Sequence, residues 1–274
     1  AIIDGEISRV NIDFANHKLK WSLAFKNAEI KFSPEWPSIY GIDAMLTMND
    51  GKLGIDATRA MILGNELRTL NTSYNEVNGK PYALITIDGS MDTTLETAMN
   101  YIQQTPLQEK FGRKLETFNP SGPIGLALQL NINLALPEVA IAVKGAIDLK
   151  NAKLQANEID LDMNDINGVL AFSNNSFTAK NLRLTMLGQP AIANIAMHAL
   201  KSNVLNIAVA VPVKVQTIKS LVPSMNLAHL SGMTNITANL ELPWGGNNQD
   251  KTLIIRSDLV GVGINYPAPF NKLP

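Results

Sequence analysis

The sequence Leu-Ala-Leu-Gln-Leu-Asn-Ile-Asn-Leu-Ala-Leu at residues 126–136 decides the fold class. Its large aliphatic side chains occupy alternate positions: Leu126, Leu128, Leu130, Ile132, Leu134 and Leu136. Alternate residues of a β-strand point to the same face, so this stretch predicts one long strand with an aliphatic face. Such a face is either a core covered by helices or an apolar wall that a lipid acyl chain fills.

The same alternation recurs along most of the chain. Further runs with a period of two lie at 19–25, 42–48, 139–149, 159–172, 192–199, 204–211, 236–242 and 253–259. Asn49-Asp50-Gly51 and Asn78-Gly79 are strong hairpin signals between such runs. The pattern predicts a mainly β protein, an elongated, curved antiparallel sheet forming a β-groove, with a few short helices. Four further aliphatic residues join the candidate groove lining: Ile207, Val209, Ile236 and Leu240.

Helical spacing is restricted to short segments. Apolar residues from Met91 to Ile102 predict a Met91–Gln104 helix with Ser90 as its N-cap, and Thr105-Pro106 predicts the start of a second helix. A third helix is predicted from Val215 to Val222, ending before Pro223. We expect these helices to cover or plug the sheet. Whether the first of them gates the groove is left open by the sequence.

An internal repeat organises the chain. Ile39 to Ala44 resembles Ile166 to Ala171 at an offset of 127, and Met61 to Gly64 resembles Thr185 to Gly188 at an offset of 124. Ser121-Gly122 and Ser231-Gly232 each precede an alternating run. We therefore predict two tandem β-groove repeats, residues 1–138 with a helical insertion and residues 139–274, continuous with each other.

Composition narrows the functional classes. The 274 residues are 46% hydrophobic, 17% charged and 6% aromatic, with a net charge of -1 and no cysteine. The charges are balanced and scattered, so the sequence shows no basic patch of the kind that binds nucleic acid. The lack of cysteine excludes disulfide bonds and thiolate chemistry. The chain opens at Ala1 without Met or a targeting segment, so we expect it to be an internal or mature piece of a longer protein.

No catalytic motif is present, and we predict neither an enzyme nor a cofactor. The best acidic cluster is Glu158, Asp160 and Asp162, whose alternate spacing places the carboxylates on one strand face. Calcium binding or glycosidase chemistry uses such clusters, but a solvated strand face explains the same pattern. The three scattered histidines do not predict a metal site.

Three segments resemble one protein family. They are Phe32-Ser33-Pro34-Glu35-Trp36-Pro37 with the following Ile39-Tyr40-Gly41, Thr105-Pro106-Leu107, and Ser257 to Val262 with Pro267-Ala268-Pro269-Phe270-Asn271-Lys272. In this order they resemble the AsmA-like proteins of Gram-negative bacteria, specifically the YhdP branch. The resemblance implies a periplasmic segment of a protein held in the inner membrane by an anchor outside this chain. It also implies carriage of phospholipid towards the outer membrane along an apolar groove, with no catalytic residues to carry over.

These observations favour a non-enzymatic lipid-binding segment whose partners are phospholipid acyl chains and, as a further possibility, other envelope proteins. Two alternatives remain. In the first, the chain is an envelope assembly protein that docks a partner through its β-surface. In the second, it is a carbohydrate-active enzyme that uses Asp160 and Asp162. The first alternative predicts that the leucine face of residues 126–136 is sealed by helices.

Overall fold

The computed structural model describes residues 2–15, 18–31, 35, 37–49, 52–76, 83–105, 108, 118–133, 140–156, 161–174, 176–198, 204–221, 224, 226–243 and 251–274. Within them, β-strands dominate and two short α-helices interrupt the strand order. The chain divides into two compact units, Ala1–Thr117 with Ser121–Asp148, and Phe118–Pro120 with Leu149–Pro274. The division falls inside one strand, β9. The predicted repeat boundary between residues 138 and 139 lies outside the described residues and stays a prediction.

The first unit is an antiparallel sheet in which the strands follow chain order. Its elements are β1 (Ile2–Ala15), β2 (Lys18–Lys31), β3 (Ile39–Asn49), β4 (Lys52–Ile62), β5 (Asn65–Glu76), β6 (Ala83–Thr94), α1 (Leu95–Gln103), β8 (Pro123–Asn133) and the first part of β9 (Ala140–Ala156). The short strand β7 (Phe118–Ser121) precedes β8 in the chain, and its residues Phe118–Pro120 belong to the second unit. β8 is the neighbour of β6, and β7 pairs with β9 off the main path. Each hairpin reverses the chain, so sequential strands become antiparallel neighbours.

The second unit continues with the same arrangement from β9 onwards. Its further elements are β10 (Leu161–Ser173), β11 (Ser176–Met186), β12 (Gln189–His198), β13 (Val204–Lys214), α2 (Val215–Leu221), β14 (Leu230–Pro243), β15 (Thr252–Ser257) and β16 (Val262–Ile264). The strands again follow chain order, with β16 paired to β14 off the main path. The strand path does not close on itself. The predicted fold class, a mainly β protein with an open antiparallel sheet and few helices, is confirmed.

The hairpin predicted at Asn49 is confirmed by strand register. Asn49 at the end of β3 pairs with Lys52 at the start of β4, which leaves a two-residue connection. β5 and β6 also form a hairpin, closed by the Glu76–Ala83 pair. The predicted Asn78-Gly79 turn itself lies outside the described residues.

The predicted start of the first helix is wrong. Met91 belongs to β6, where it pairs with Leu126 of β8, and the Ser90 hydroxyl lies 2.7 Å from the Thr69 hydroxyl of β5. The α1 helix begins at Leu95, and the side chain of Thr94, its N-cap, accepts a hydrogen bond from the Thr97 N–H at 3.3 Å. Cross-strand pairing therefore extends the strand over residues whose spacing also fits a helix. The helix predicted from Val215 is confirmed as α2; Pro106 and Leu107 lie outside the described residues.

One backbone feature recurs at an offset of 124, which differs from the offset of 127 at the first matched block of the predicted repeat; the same feature also occurs at Asn181 and Asn194. Asn27 and Asn151 both have positive φ, and each donates its N–H at 3.0 Å to a side-chain oxygen on the next strand, of Asp43 and Asn167 respectively. Gly41, with φ 61, is thereby equivalent to Asp165, with φ 51, and not to Gly168. The side-chain oxygen acceptors at Asp43 and Asn167 align the two segments at an offset of 124. Aligning Gly41 with Gly168 gives an offset that is three residues larger.

Candidate functional site

The described aliphatic side chains of residues 126–136 lie on one face of β8. Leu126, Leu128, Leu130 and Ile132 alternate with polar or small residues and are all half-buried. Across the β6–β8 ladder they lie opposite Met91, Gly89, Ile87 and Ile85. Directly paired residues of antiparallel strands project to the same side of the sheet. Leu134 and Leu136, the other predicted lining residues of this stretch, lie outside the described residues.

The same face continues across the first unit as three rows of paired residues, counted from the end of the strands where β3 turns into β4. Row 1 contains Trp21, Met48, Leu53, Tyr74, Ile85 and Ile132. Row 2 contains Leu23, Leu46, Ile55, Thr72, Ile87 and Leu130. Row 3 contains Phe25, Ala44, Ala57, Leu70, Gly89 and Leu128. We call these rows the apolar face of the first unit.

The opposite side of the same strands is polar. Its row between rows 1 and 2 contains Ser22, Thr47, Gly54, Ser73, Thr86 and Asn131. Polar side chains there bond along the sheet: Thr86 donates to Asn131 at 3.0 Å, and Gln129 donates to Asp88 at 2.7 Å. The sheet is therefore amphipathic, which is the pattern expected when one face meets water and the other meets apolar material.

Burial changes along the strands of the apolar face. Side chains are half-buried in rows 1 and 2, towards the turn end. Towards the end where α1 begins they are almost fully buried, with Ala28 and Ile42 at 3% exposure and Ala60 and Ile124 at 1%. Ala28, Ile42 and Ala60 form a packed cluster that Phe25 and Leu70 join from row 3. The fully buried side chains thus lie at the helix end, whereas those of rows 1 and 2 are half-buried, with Ile55 of row 2 packed against the cluster.

The α1 helix is attached at the helix end of the sheet. Its Leu95 N–H donates to the Gly122 carbonyl at 2.9 Å, and the Glu96 carboxylate accepts from the Gly122 N–H at 3.3 Å. The backbone N–H of Glu96 itself, the Thr94 hydroxyl and the Gly122 N–H lower the pKa of the Glu96 carboxyl. Burial of the Tyr101 ring raises the pKa of its hydroxyl to about 12. These contacts place α1 beside β6 and the start of β8.

The second unit carries an equivalent apolar face, and it brings together the other four predicted residues. Ile207 lies opposite Leu240, and Val211 lies opposite Ile236, across β13 and β14. Val209 lies between them on the same side of β13. Ile236 is buried at 9% exposure, whereas Ile207, Val209 and Leu240 are half-buried.

The rows of this face extend from β10 to the terminal strand β15. The row nearest the turns contains Phe172, Phe177, Met197, Leu205 and Leu242. The next contains Leu170, Ala179, Ile195, Ile207, Leu240 and Leu253. Leu253 and Ile255 of β15 are 58% and 57% exposed. The apolar face of the second unit therefore extends to β15, where its side chains are exposed to water.

The acidic cluster considered as a catalytic site is only partly described. Glu158 and Asp160 lie outside the described residues, and Asp162 is exposed on β10. Asp165 accepts a hydrogen bond from the Thr185 hydroxyl at 3.1 Å, which connects it to the neighbouring strand. No group of three or more metal-ligating side chains comes together in the part of the chain that the structure describes.

Sequence reasoning placed the leucines of β8 but missed the larger part of the face they belong to. Trp21, Leu23, Leu46, Ile55 and Ile87 line it equally. The alternation of strands β2 and β3 was the available signal. It shows that each strand has an apolar side, but the register between strands is what joins those sides into one face.

An open antiparallel sheet with an extended, half-buried aliphatic face on one side defines a class of amphipathic β-sheet proteins. The model of the YhdP protein family matches residues 1–274, so the chain belongs to that family. A 166-residue part is 24% identical to the intermembrane phospholipid transporter YhdP of Escherichia coli strain K12. That match covers 60% of this chain and 13% of the relative, so the chain spans only a small part of the protein it resembles. No solved structure matches the chain significantly.

Proposed function

We propose that this chain is a non-enzymatic lipid-binding segment of a bridge-like carrier that moves phospholipid between the inner and outer membranes. The observation that carries the proposal is the row structure of the apolar face. Rows 1 and 2 run without a charged residue from β2 to β8, and their side chains stay half-buried. A contiguous apolar face without charge supports the proposal of a binding surface for an apolar ligand.

Acyl chains are the ligand that this surface suits. The face consists mainly of aliphatic side chains, which contact flexible hydrocarbon without demanding a fixed ring geometry. Each methylene buried against it contributes about 0.8 kcal/mol, so binding strength grows with chain length rather than with a few polar contacts. The rows of both units are apolar, so each unit offers contacts to acyl chains. Passive movement of lipid along the face then needs no energy step in this segment.

The family assignment supports the cellular setting as part of the proposal. The similar Escherichia coli protein is named as an intermembrane phospholipid transporter. Among the described residues, no helix is both long and apolar enough to cross a membrane. We place this chain in the periplasm, attached to the inner membrane through an anchor outside it, with phospholipid as its ligand and envelope proteins as further partners.

The first test is lipid extraction from the purified, detergent-free protein, followed by mass spectrometry against a control protein from the same host. We expect phospholipid in stoichiometric amount, and we expect Leu130→Asp to remove it because the carboxylate sits in row 2. Ala127→Asp is the matched control, since Ala127 lies on the same strand but on the polar side and is exposed.

The outcomes separate this function from the two alternatives. A Leu130→Asp protein that folds by circular dichroism, binds no lipid and retains the helix content of the parent supports the proposal. A lipid-free parent protein, with unfolding in Leu130→Asp, instead indicates a sealed core and an assembly role. Glycosidase activity lost in Asp160→Asn, with the fold intact, would indicate the carbohydrate-active enzyme.

A further inference from the structure

Two aromatic side chains with polar atoms share row 1 of the first unit. Trp21 lies opposite Met48, and Tyr74 lies opposite Leu53, so the two aromatic residues are separated by β3 and β4 within one row. Both are half-buried. One residue closer to the turns, Lys20 and Asn49 form an exposed pair on the polar side of the sheet. Among the three rows of the apolar face, row 1 is therefore the one nearest the turn end.

The polar atoms of these two rings are available to a ligand. Neither the Trp21 Nε1–H nor the Tyr74 hydroxyl forms a hydrogen bond within the part of the chain that the structure describes. Tryptophan and tyrosine combine an apolar ring with a polar tip, and they collect where an apolar phase meets water. Rows 2 and 3 contain a single hydroxyl, that of Thr72, among otherwise apolar residues.

The second unit lacks this feature. The equivalent row there contains Phe172, Phe177 and Met197, whose side chains carry no hydrogen-bond donor comparable to an indole or a phenol. The difference lies in polar atoms and not in apolar character, because both rows are bulky. Met197 is buried at 2% exposure, whereas Phe172 and Phe177 are half-buried like the residues of row 1. Of these two rows, as far as the structure describes them, the row of the first unit contains the indole and phenol donors.

We propose that row 1 sets the depth of a bound phospholipid in the first unit. The Trp21 Nε1–H and the Tyr74 hydroxyl donate to oxygens of the lipid ester or phosphate group, and the acyl chains lie over rows 2 and 3 towards the helix end. This inference rests on the proposed function. From row 1 to row 3, Ile132 to Leu128, the face covers roughly 13 Å at about 3.3 Å per residue, close to the thickness of one leaflet of a bilayer core, about 15 Å.

Fluorescence quenching by brominated lipid tests the depth directly. In a Trp36→Phe/Trp244→Phe background, Trp21 is the remaining tryptophan of the three in the chain. The protein is loaded with phosphatidylethanolamine brominated near the carboxyl end, in the middle, or near the methyl end of one acyl chain. We expect the strongest quenching from bromine near the carboxyl end. A flat profile, or strongest quenching from the methyl end, would overturn the assignment of row 1.

The phosphorus content of the same samples measures bound lipid. This measurement separates a failure of the depth assignment from a failure of the proposed function. Stoichiometric lipid with a flat or reversed quenching profile overturns the depth of the lipid and leaves the proposed function standing. Absence of bound lipid from every sample overturns the proposed function and, with it, this inference.

A second measurement isolates the phenol. Tyr74→Phe keeps the ring in row 1 and removes the hydroxyl, so we expect lipid affinity to fall about two- to tenfold, as for the loss of one hydrogen bond. Ser73→Ala is the matched control. Ser73 directly precedes Tyr74 in β5 and lies on the polar side, opposite Gly54 and Thr86. Equal affinities of Tyr74→Phe and Ser73→Ala would remove the Tyr74 hydroxyl from the site.

Discussion

Ile87 of β6 and Leu130 of β8 lie directly opposite each other on the apolar face, and both side chains are half-buried. Forty-three residues of sequence separate them, so the contact is made by the sheet and not by local structure. Such a pair stabilises the ladder through cross-strand packing and still leaves apolar area for a ligand. We expect a structural role for the packed end of the apolar face and, under the proposed function, lipid binding at its half-buried end.

Truncation along β8 should separate these two roles. Ile124→Ala is expected to lower the free energy of unfolding by about 2–5 kcal/mol, because this side chain is 1% exposed and leaves a cavity. Leu130→Ala should lower it by roughly 1–2 kcal/mol, since its side chain is only half-buried, and should reduce retained lipid. Urea unfolding followed by circular dichroism measures both. Equal stability losses would show that Leu130 is as fully packed in solution as Ile124.

The hydrogen bond between Asn27 and Asp43 predicts a pH effect. The Asn27 N–H, together with Lys26 at 3.3 Å, holds the pKa of the Asp43 carboxyl below its ordinary value. A group whose pKa is lowered on folding stabilises the protein at pH above its unfolded value, and this contribution is lost as pH falls through the folded value. We expect the wild-type protein to lose this contribution below about pH 4.

The equivalent position of the second repeat supplies the control. Asn167 accepts the Asn151 N–H with an amide oxygen at 3.0 Å, so Asp43→Asn should keep the acceptor and remain close to wild type at neutral pH. Asp43→Ala removes the acceptor and should lower Tm. Thermal unfolding between pH 3 and neutral pH measures the three proteins. A pH slope in Asp43→Asn equal to that of wild type would assign the effect to another carboxylate.

Gly232 is predicted to be intolerant of a side chain. Its φ is 101°, and a Cβ there would lie 2.1 Å from the Gly261 carbonyl oxygen, where the C-terminal segment pairs with β14. Gly232→Ala should destabilise the protein by at least about 1–3 kcal/mol. Gly188→Ala separates backbone strain from the clash, since Gly188 has φ 70° but no atom within 4 Å of the added Cβ. Equal Tm values for the two variants would argue against the close approach of β14 and Gly261.

The cap of α1 predicts a local effect. Thr94→Ala removes the acceptor of the Thr97 N–H and should cost about 1 kcal/mol of helix stability, whereas Thr94→Ser keeps the oxygen and should cost little. Amide hydrogen exchange in Leu95–Gln103 reports on the helix itself. Faster exchange there in Thr94→Ala, with unchanged exchange in β11 and β12, is the expected result. Uniform acceleration throughout the protein would show that α1 unfolds only with the sheet.

Several features of the fold follow from local sequence. Alternating residues predict the strands and their apolar sides, the Asn49 turn predicts the β3–β4 hairpin, and the spacing of Val215 and Ile218 predicts α2. The start of α1 was placed too early because Met91 and Leu95 fit a helical period as well as a strand that ends at Thr94. Cross-strand pairing with Leu126 decides between the two, and that partner is distant in sequence.

By itself, the sequence determined which residues are apolar on each strand, because side-chain direction alternates with every residue through the covalent geometry of the extended chain. It also determined the family resemblance and the candidate leucines of β8. Only the tertiary structure decided that Trp21, Leu46, Ile87 and Leu130 belong to one continuous face. Register aligns them, and register depends on hydrogen bonds between distant residues, such as Thr86 and Asn131, 45 positions apart.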